Sequence, residues 1–109
     1  MPNYTAYAIS KNAMDGITRQ WAVELSKKHH LTVNTVTVGP TDHEGTAQNW
    51  NETRAKARER LYERTTVESR AGGVDDHAQI VAWLCSDGSR WMNGQALNAN
   101  GGVCLSLMQ

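Results

Sequence analysis

Two strand-like runs, Leu31–Val38 and Gln95–Ala99, separated only by helical patterns, constrain the fold of this chain more than any other feature. The first reads Leu-Thr-Val-Asn-Thr-Val-Thr-Val, rich in β-branched residues, and stops at Gly39-Pro40. The second stops at Gly101-Gly102. Such runs bounded by turn residues predict strands. Strands joined through a helical crossover run parallel. A parallel sheet needs cover on both faces and several strands. With only two predicted, the pattern points to part of a larger sheet.

The helical patterns flank these runs. Over residues 5–28, Tyr7, Ser10, Met14, Ile17, Trp21 and Leu25 recur at helical spacing, and Ile9, Ala13 and Val23 widen the stripe. Ile17, Trp21 and Leu25 are expected in the core. Gly16 interrupts the pattern at a cost of about 1 kcal/mol relative to Ala. Lys27, Lys28, His29 and His30 complement the negative end of the helix dipole. Residues 46–65 read as a charged helix anchored by Trp50, Ala57 and Leu61. Thr66–Gly73 is a connector. Asp75 is the expected N-cap of a helix to about Ser86, with Ala78, Val81, Ala82 and Cys85 on one side.

At 109 residues the chain is long enough for one small domain. Its formal net charge is zero, so no overall field draws it to nucleic acid or an anionic membrane. Arg54, Lys56, Arg58, Arg60 and Arg64 alternate with Glu52, Glu59 and Glu63, the mark of a solvated helix face rather than a nucleic-acid surface. His29-His30 has no third ligand nearby in sequence, and no metal is expected. Cys85 and Cys104 sit in apolar contexts and are expected to be buried thiols. No apolar run approaches membrane-spanning length, and a soluble, cytoplasmic chain is the expected class.

The chemistry-bearing stretch is Tyr7-Ala8-Ile9-Ser10-Lys11. Residues four apart lie one turn apart on the same helix face, so an ammonium sits beside a phenol. A free tyrosine has a pKa near 10, and general acid–base work favours a value nearer the operating pH. Reaching about 7 takes roughly 4 kcal/mol of preferential phenolate stabilisation, at about 1.36 kcal/mol per unit. An ammonium ~4 Å away supplies ~1 kcal/mol in water but ~4 kcal/mol at an effective dielectric near 20. The pair therefore needs shielding from solvent to act.

The surrounding residues resemble the short-chain dehydrogenase/reductase family over nearly the whole chain. The family's Tyr-x-x-x-Lys, usually with Ser before the Lys, is matched by Tyr7, Ser10 and Lys11. The helix that comes next is matched by Ala13-Met14-Asp15-Gly16-Ile17-Thr18-Arg19 and Ala22-Val23-Glu24-Leu25, and the next strand by Val33-Asn34-Thr35-Val36. Asp76, Leu84-Cys85-Ser86-Asp87, Gly94-Gln95 and Asn100-Gly101-Gly102 match its C-terminal pattern. The resemblance implies an α/β fold, a partial Rossmann-like, doubly wound parallel sheet comprising the C-terminal half, with about two strands and three to four helices. Residues 1–109 would be the C-terminal portion of one domain, without the glycine-rich dinucleotide-binding half.

The implied reaction is NAD(P)(H)-dependent interconversion of an alcohol and a carbonyl compound. Tyr7 would be the acid/base and Lys11 its modulator and a ribose ligand, with Gly39, Pro40 and Thr41 contacting the nicotinamide of NADP or NAD. Glu44 to Thr65 would be a substrate-side lid. Val38, Thr41 and His43 stand where the family more often has Pro, Val or Ile, and Thr. The implied partners are a small alcohol or carbonyl substrate and, among proteins, a homo-oligomer or a complementing N-terminal chain. The competing expectation is a non-catalytic fragment or interaction module.

Overall fold

The computed structural model describes residues 4–44 and 52–103. Its elements are helix α1 (Thr5–His29), strand β1 (Thr35–Val38), helix α2 (Glu52–Tyr62), helix α3 (Val74–Leu84), a short 3-10 turn (Asp87–Ser89) and strand β2 (Ala96–Ala99). Trp50, Cys104 and the first part of the helix expected over 46–65 lie outside the described residues. The two strands pair. They run in parallel: Thr35 N–H donates to Gln95 O at 2.8 Å and Gly39 N–H to Ala99 O at 3.1 Å, a constant register. The helical crossover expected from the sequence is present. The chain clusters into two units, Met1–Val36 with Trp83–Leu97, and Thr37–Ala82 with Asn98–Gln109.

In the first unit α1 runs unbroken through Gly16 and ends at His30, whose left-handed conformation (φ 53°) closes the helix. Leu31 N–H then returns to Ser26 O at 3.2 Å, the bond of a Schellman-type stop. Two asparagines fasten the chain beyond this stop. Asn93 Oδ1 accepts from Ser26 Oγ at 3.1 Å and from Val33 N–H at 2.9 Å, while its Nδ2 donates to Ala22 O at 3.3 Å. Asn34 Nδ2 donates to Met92 O at 3.0 Å, and its Oδ1 accepts from Gln95 N–H at 3.1 Å. Gly94 N–H still donates to Val33 O at 2.8 Å, but the Val33 and Gln95 N–H groups go to these amides instead of to backbone, and β1 begins at Thr35 rather than Leu31. Thr18 and Thr35 share a hydroxyl hydrogen bond of 2.5 Å, tying α1 to β1.

Of the core expected along α1 only Leu25 is half-buried. Ile17 is 46% exposed and Trp21 52%, and the buried residue of the helix is Ala22. Beside Leu25 the half-buried positions are Asp15, Thr18 and Ser26, one residue round from the large apolar stripe. Small and polar side chains let the helix approach the asparagine clamp, leaving the bulky stripe uncovered. The same offset recurs in α3, where Ala78, Val81 and Ala82 are exposed and His77, Ile80 and Leu84 are half-buried. In α2, Ala57 and Leu61 are exposed while Arg58 and Tyr62 are half-buried. Cys85, expected to be buried, is exposed, because it succeeds the last turn of α3 on the uncovered side.

The second unit joins α2 and most of α3 through tight turns. Its buried residues include Thr65, Ala71, Ala99, Asn100 and Val103. Thr66 and Val67 N–H groups both donate to Gly101 O, at 2.7 and 3.3 Å. Gly101 and Gly102 have φ of 61° and 79°, a conformation that L side chains avoid. α3 starts from Gly73, whose N–H is accepted by Asp76 Oδ2 at 2.7 Å. That is the return half of a capping box, so the capping carboxylate is Asp76 and not Asp75.

Candidate active site

Tyr7 and Lys11 occupy successive turns near the start of α1 in the first unit. The Lys11 Nζ stands 5.4 Å from the centroid of the Tyr7 ring, over its face. Tyr4 packs edge-on against the same ring, centroids 5.7 Å apart and planes at 76°. Ser10 Oγ donates back to Tyr7 O at 2.7 Å. The turn between the two residues is intact, which is what helical periodicity required. Tyr7 is 57% exposed, so the described residues do not give the pair the shielding from solvent that its chemistry needs.

Gly39, Pro40 and Thr41 come directly after β1 in the second unit. Gly39 is required by a close approach: a Cβ there would lie 2.7 Å from Asn100 Cα and 2.9 Å from Asn100 O. Thr41 forms a parallel bridge with Gly72. Gly72 N–H donates to Pro40 O and Asp42 N–H donates to Gly72 O, both at 2.9 Å. In such a bridge the central residue's own N–H and C=O point to the opposite side. Thr41 therefore turns one backbone donor and one acceptor away from Gly72. Its Oγ1 donates to Gly39 O at 3.0 Å and contacts His77 Nε2 at 2.9 Å. His43, considered with this loop, is exposed.

A cavity of about 360 Å³ opens at the carboxyl ends of β1 and β2, lined by Gly39, Pro40, Arg70, His77, Ile80 and Asn100 among others. In open α/β sheets ligands bind beyond the carboxyl ends of the strands. Arg70 donates through Nη1 to Asp76 Oδ2 at 2.7 Å and to Ala71 O at 2.8 Å, and through Nε to Glu68. The Arg70 hydrogen bond, then the Gly73 N–H, hold the Asp76 carboxyl below the usual carboxylate range. The same carboxylates hold Arg70 more firmly protonated than a free guanidinium.

Sequence reasoning missed His77 and Arg70. His77 sits in an apolar helix pattern, and its partner Thr41 is distant in sequence; the adjacent Gly72-Gly73 was the only local sign of a close approach. Among the described residues no cluster of His, Cys, Asp and Glu could hold a metal ion. No described helix is long and apolar enough to cross a membrane.

A family model described as enoyl-(acyl carrier protein) reductase matches residues 1–104. The chain is 44% identical over 109 residues to the short-chain dehydrogenase/reductase FrzI of a Cladobotryum species, a match covering 91% of this chain and 39% of that protein. Among solved structures, acetoin dehydrogenase YohF from Salmonella typhimurium superposes with a TM-score of 0.74 at 32% identity, over 97% of this chain and 38% of that one. A structure from Agrobacterium tumefaciens with bound NADP gives a TM-score of 0.79 at 25% identity, over 91% of this chain and 39% of that one. The chain thus spans well under half the length of these relatives. The ordered motifs, the parallel strand pair with its helical crossover and these matches agree: the chain belongs to the short-chain dehydrogenase/reductase family, with the part-Rossmann α/β architecture that its sequence implied.

Proposed function

We propose that this chain carries the acid–base half of an NAD(P)(H)-dependent oxidoreductase that interconverts a small alcohol and its carbonyl counterpart. The observation that carries the reading is the Lys11 ammonium lying over the Tyr7 ring on an unbroken helical turn. The Tyr7 hydroxyl would give a proton to the carbonyl oxygen in reduction and take it back in oxidation. The Lys11 ammonium is placed to stabilise negative charge on the phenol once the site is shielded. Its remaining N–H groups suit ribose hydroxyls.

The loop supports NADP or NAD. A carboxamide needs one acceptor and one donor opposite it, and the C=O and N–H that Thr41 turns away from Gly72 have that chemistry. A nicotinamide held there would supply the hydride donor or acceptor. Gly39 and Pro40 would flank the nicotinamide, with Gly39 N–H donating to Ala99 O and Pro40 O accepting from Gly72 N–H.

A second reading has its own observation. Tyr7, Met14, Ile17 and Trp21 form one exposed apolar face, each 46% to 57% accessible. Such a face favours an interaction module that docks on further protein, an N-terminal chain or a second copy, and does no chemistry by itself. Titration of the chain with NADPH and NADH, tracked by nicotinamide fluorescence, separates the two. Saturable micromolar binding supports the oxidoreductase; no binding up to millimolar nucleotide supports the module.

A further inference from the structure

The Gly39–Thr41 loop is held by a side chain that the proposed chemistry does not use, the imidazole of His77. Thr41 has one hydroxyl proton, and two acceptors compete for it: Gly39 O at 3.0 Å and, in one tautomer, His77 Nε2 at 2.9 Å. His77 Nδ1 is buried with no hydrogen-bond partner. If Nδ1 carried the ring proton, that proton would be a buried, unsatisfied donor, and Gly39 O would lose its hydroxyl donor. With the proton on Nε2, the ring donates to Thr41, Thr41 donates to Gly39 O, and only a bare imidazole lone pair is left over. A buried unpaired N–H is the costlier defect. Proton counting therefore assigns the Nε2–H tautomer.

The ring is fixed in turn by Gly72. A Cβ at residue 72 would fall 2.7 Å from His77 Nε2 and 2.9 Å from Cε1, so the imidazole lies on bare backbone. That same glycine bonds Pro40 and Asp42, the residues on either side of Thr41. Helix α3, Gly72 and the loop close into one hydrogen-bonded unit through a single side chain.

We infer that His77 is a positioning residue: its Nε2–H holds Thr41 so that the backbone N–H and C=O of that residue keep one orientation. The consequence for nucleotide binding rests on the proposed cofactor role of the loop. The positioning itself does not.

The test separates them. Nitrogen-15 NMR of the histidine-labelled chain at pH 8 should show His77 protonated at Nε2 and bare at Nδ1; the opposite tautomer overturns the inference. His77→Leu should speed hydrogen exchange of the Asp42 and Gly72 amides by about tenfold, the scale of one lost hydrogen bond. His77→Gln, which keeps an N–H donor near the Nε2 position, should recover most of that protection. Thr41→Val removes the hydroxyl without touching α3 and should give the same loss, so a misfolded His77→Leu leaves the test intact. Unchanged exchange in Thr41→Val overturns the inference. In NADPH titrations His77→Leu and Thr41→Val should each weaken binding several-fold, no more together than singly, with His77→Gln near the parent. If the parent chain binds no NADPH while the tautomer and exchange results hold, the cofactor reading falls and the positioning role stands.

Discussion

Residues 5–36 with 83–97 are ordered by one long helix clamped at its far end by the Asn93 side chain, whereas the described part of residues 37–82 with 98–103 carries shorter helices whose connecting turns are held by backbone bonds, a histidine and an arginine–carboxylate cluster. In the first region the proposed acid–base pair depends on local geometry: an intact helix brings Lys11 over Tyr7. In the second, the orientation of Thr41 depends on groups brought from elsewhere in the chain. The proposed acid–base pair rests on secondary structure, and the proposed cofactor loop on tertiary hydrogen bonding. The two should fail in different ways when perturbed.

The largest expected effect tests the first region. Tyr7→Phe should lower turnover of a carbonyl substrate by about 10²- to 10⁴-fold, the range of a lost general acid–base group, with the far-ultraviolet circular dichroism unchanged. Retained turnover would remove Tyr7 from the chemistry. Next comes the clamp. Asn93→Ala deletes three hydrogen bonds and leaves the Val33 N–H without its acceptor, so a loss of about 1–3 kcal/mol is expected in urea unfolding. A wild-type midpoint would mean that the helix alone orders the region and would erase the contrast between the two.

Smaller still is the response of the second region to acid. The Asp76 carboxyl is held low by Arg70 and by the Gly73 N–H. The stability it adds is present above the ordinary carboxylate pKa and is lost as pH falls through the depressed folded-state value. Asp76→Asn should flatten that acid limb while changing the unfolding midpoint at pH 7 only modestly, because the pair is solvent-exposed. An acid limb of unchanged slope would show that the carboxylate is idle. The smallest effect is expected at Trp21→Ser on the exposed stripe, within about 0.5 kcal/mol in stability. If that variant unfolds the chain, the stripe is core after all; if it only lowers self-association in sedimentation, the stripe is a docking face.

Legibility in the sequence divides along the same line. Helix α1, the adjacency of Tyr7 and Lys11, the parallel pairing and the family were all legible, because each depends on short-range period or on ordered motifs. The start of β1 was not, since the side-chain amides of Asn34 and Asn93 compete with the sheet ladder there, and one of them lies far along the chain. The packed faces of the helices were misread for a related reason. Hydrophobic periodicity finds the stripe a helix wants to cover, and here the covered side is the smaller, more polar one. His77 was invisible because its role depends on a threonine 36 positions away.

The backbone-to-backbone contact at Gly39 has a mechanical consequence. With no room for even a methyl group between residue 39 and Asn100, the turns that succeed the two strands cannot be displaced independently. A push on one is delivered to the other. A ligand or neighbouring surface that pressed the Asn100 turn inward would thereby press on the segment proposed to grip the nicotinamide, coupling two stretches far apart in sequence.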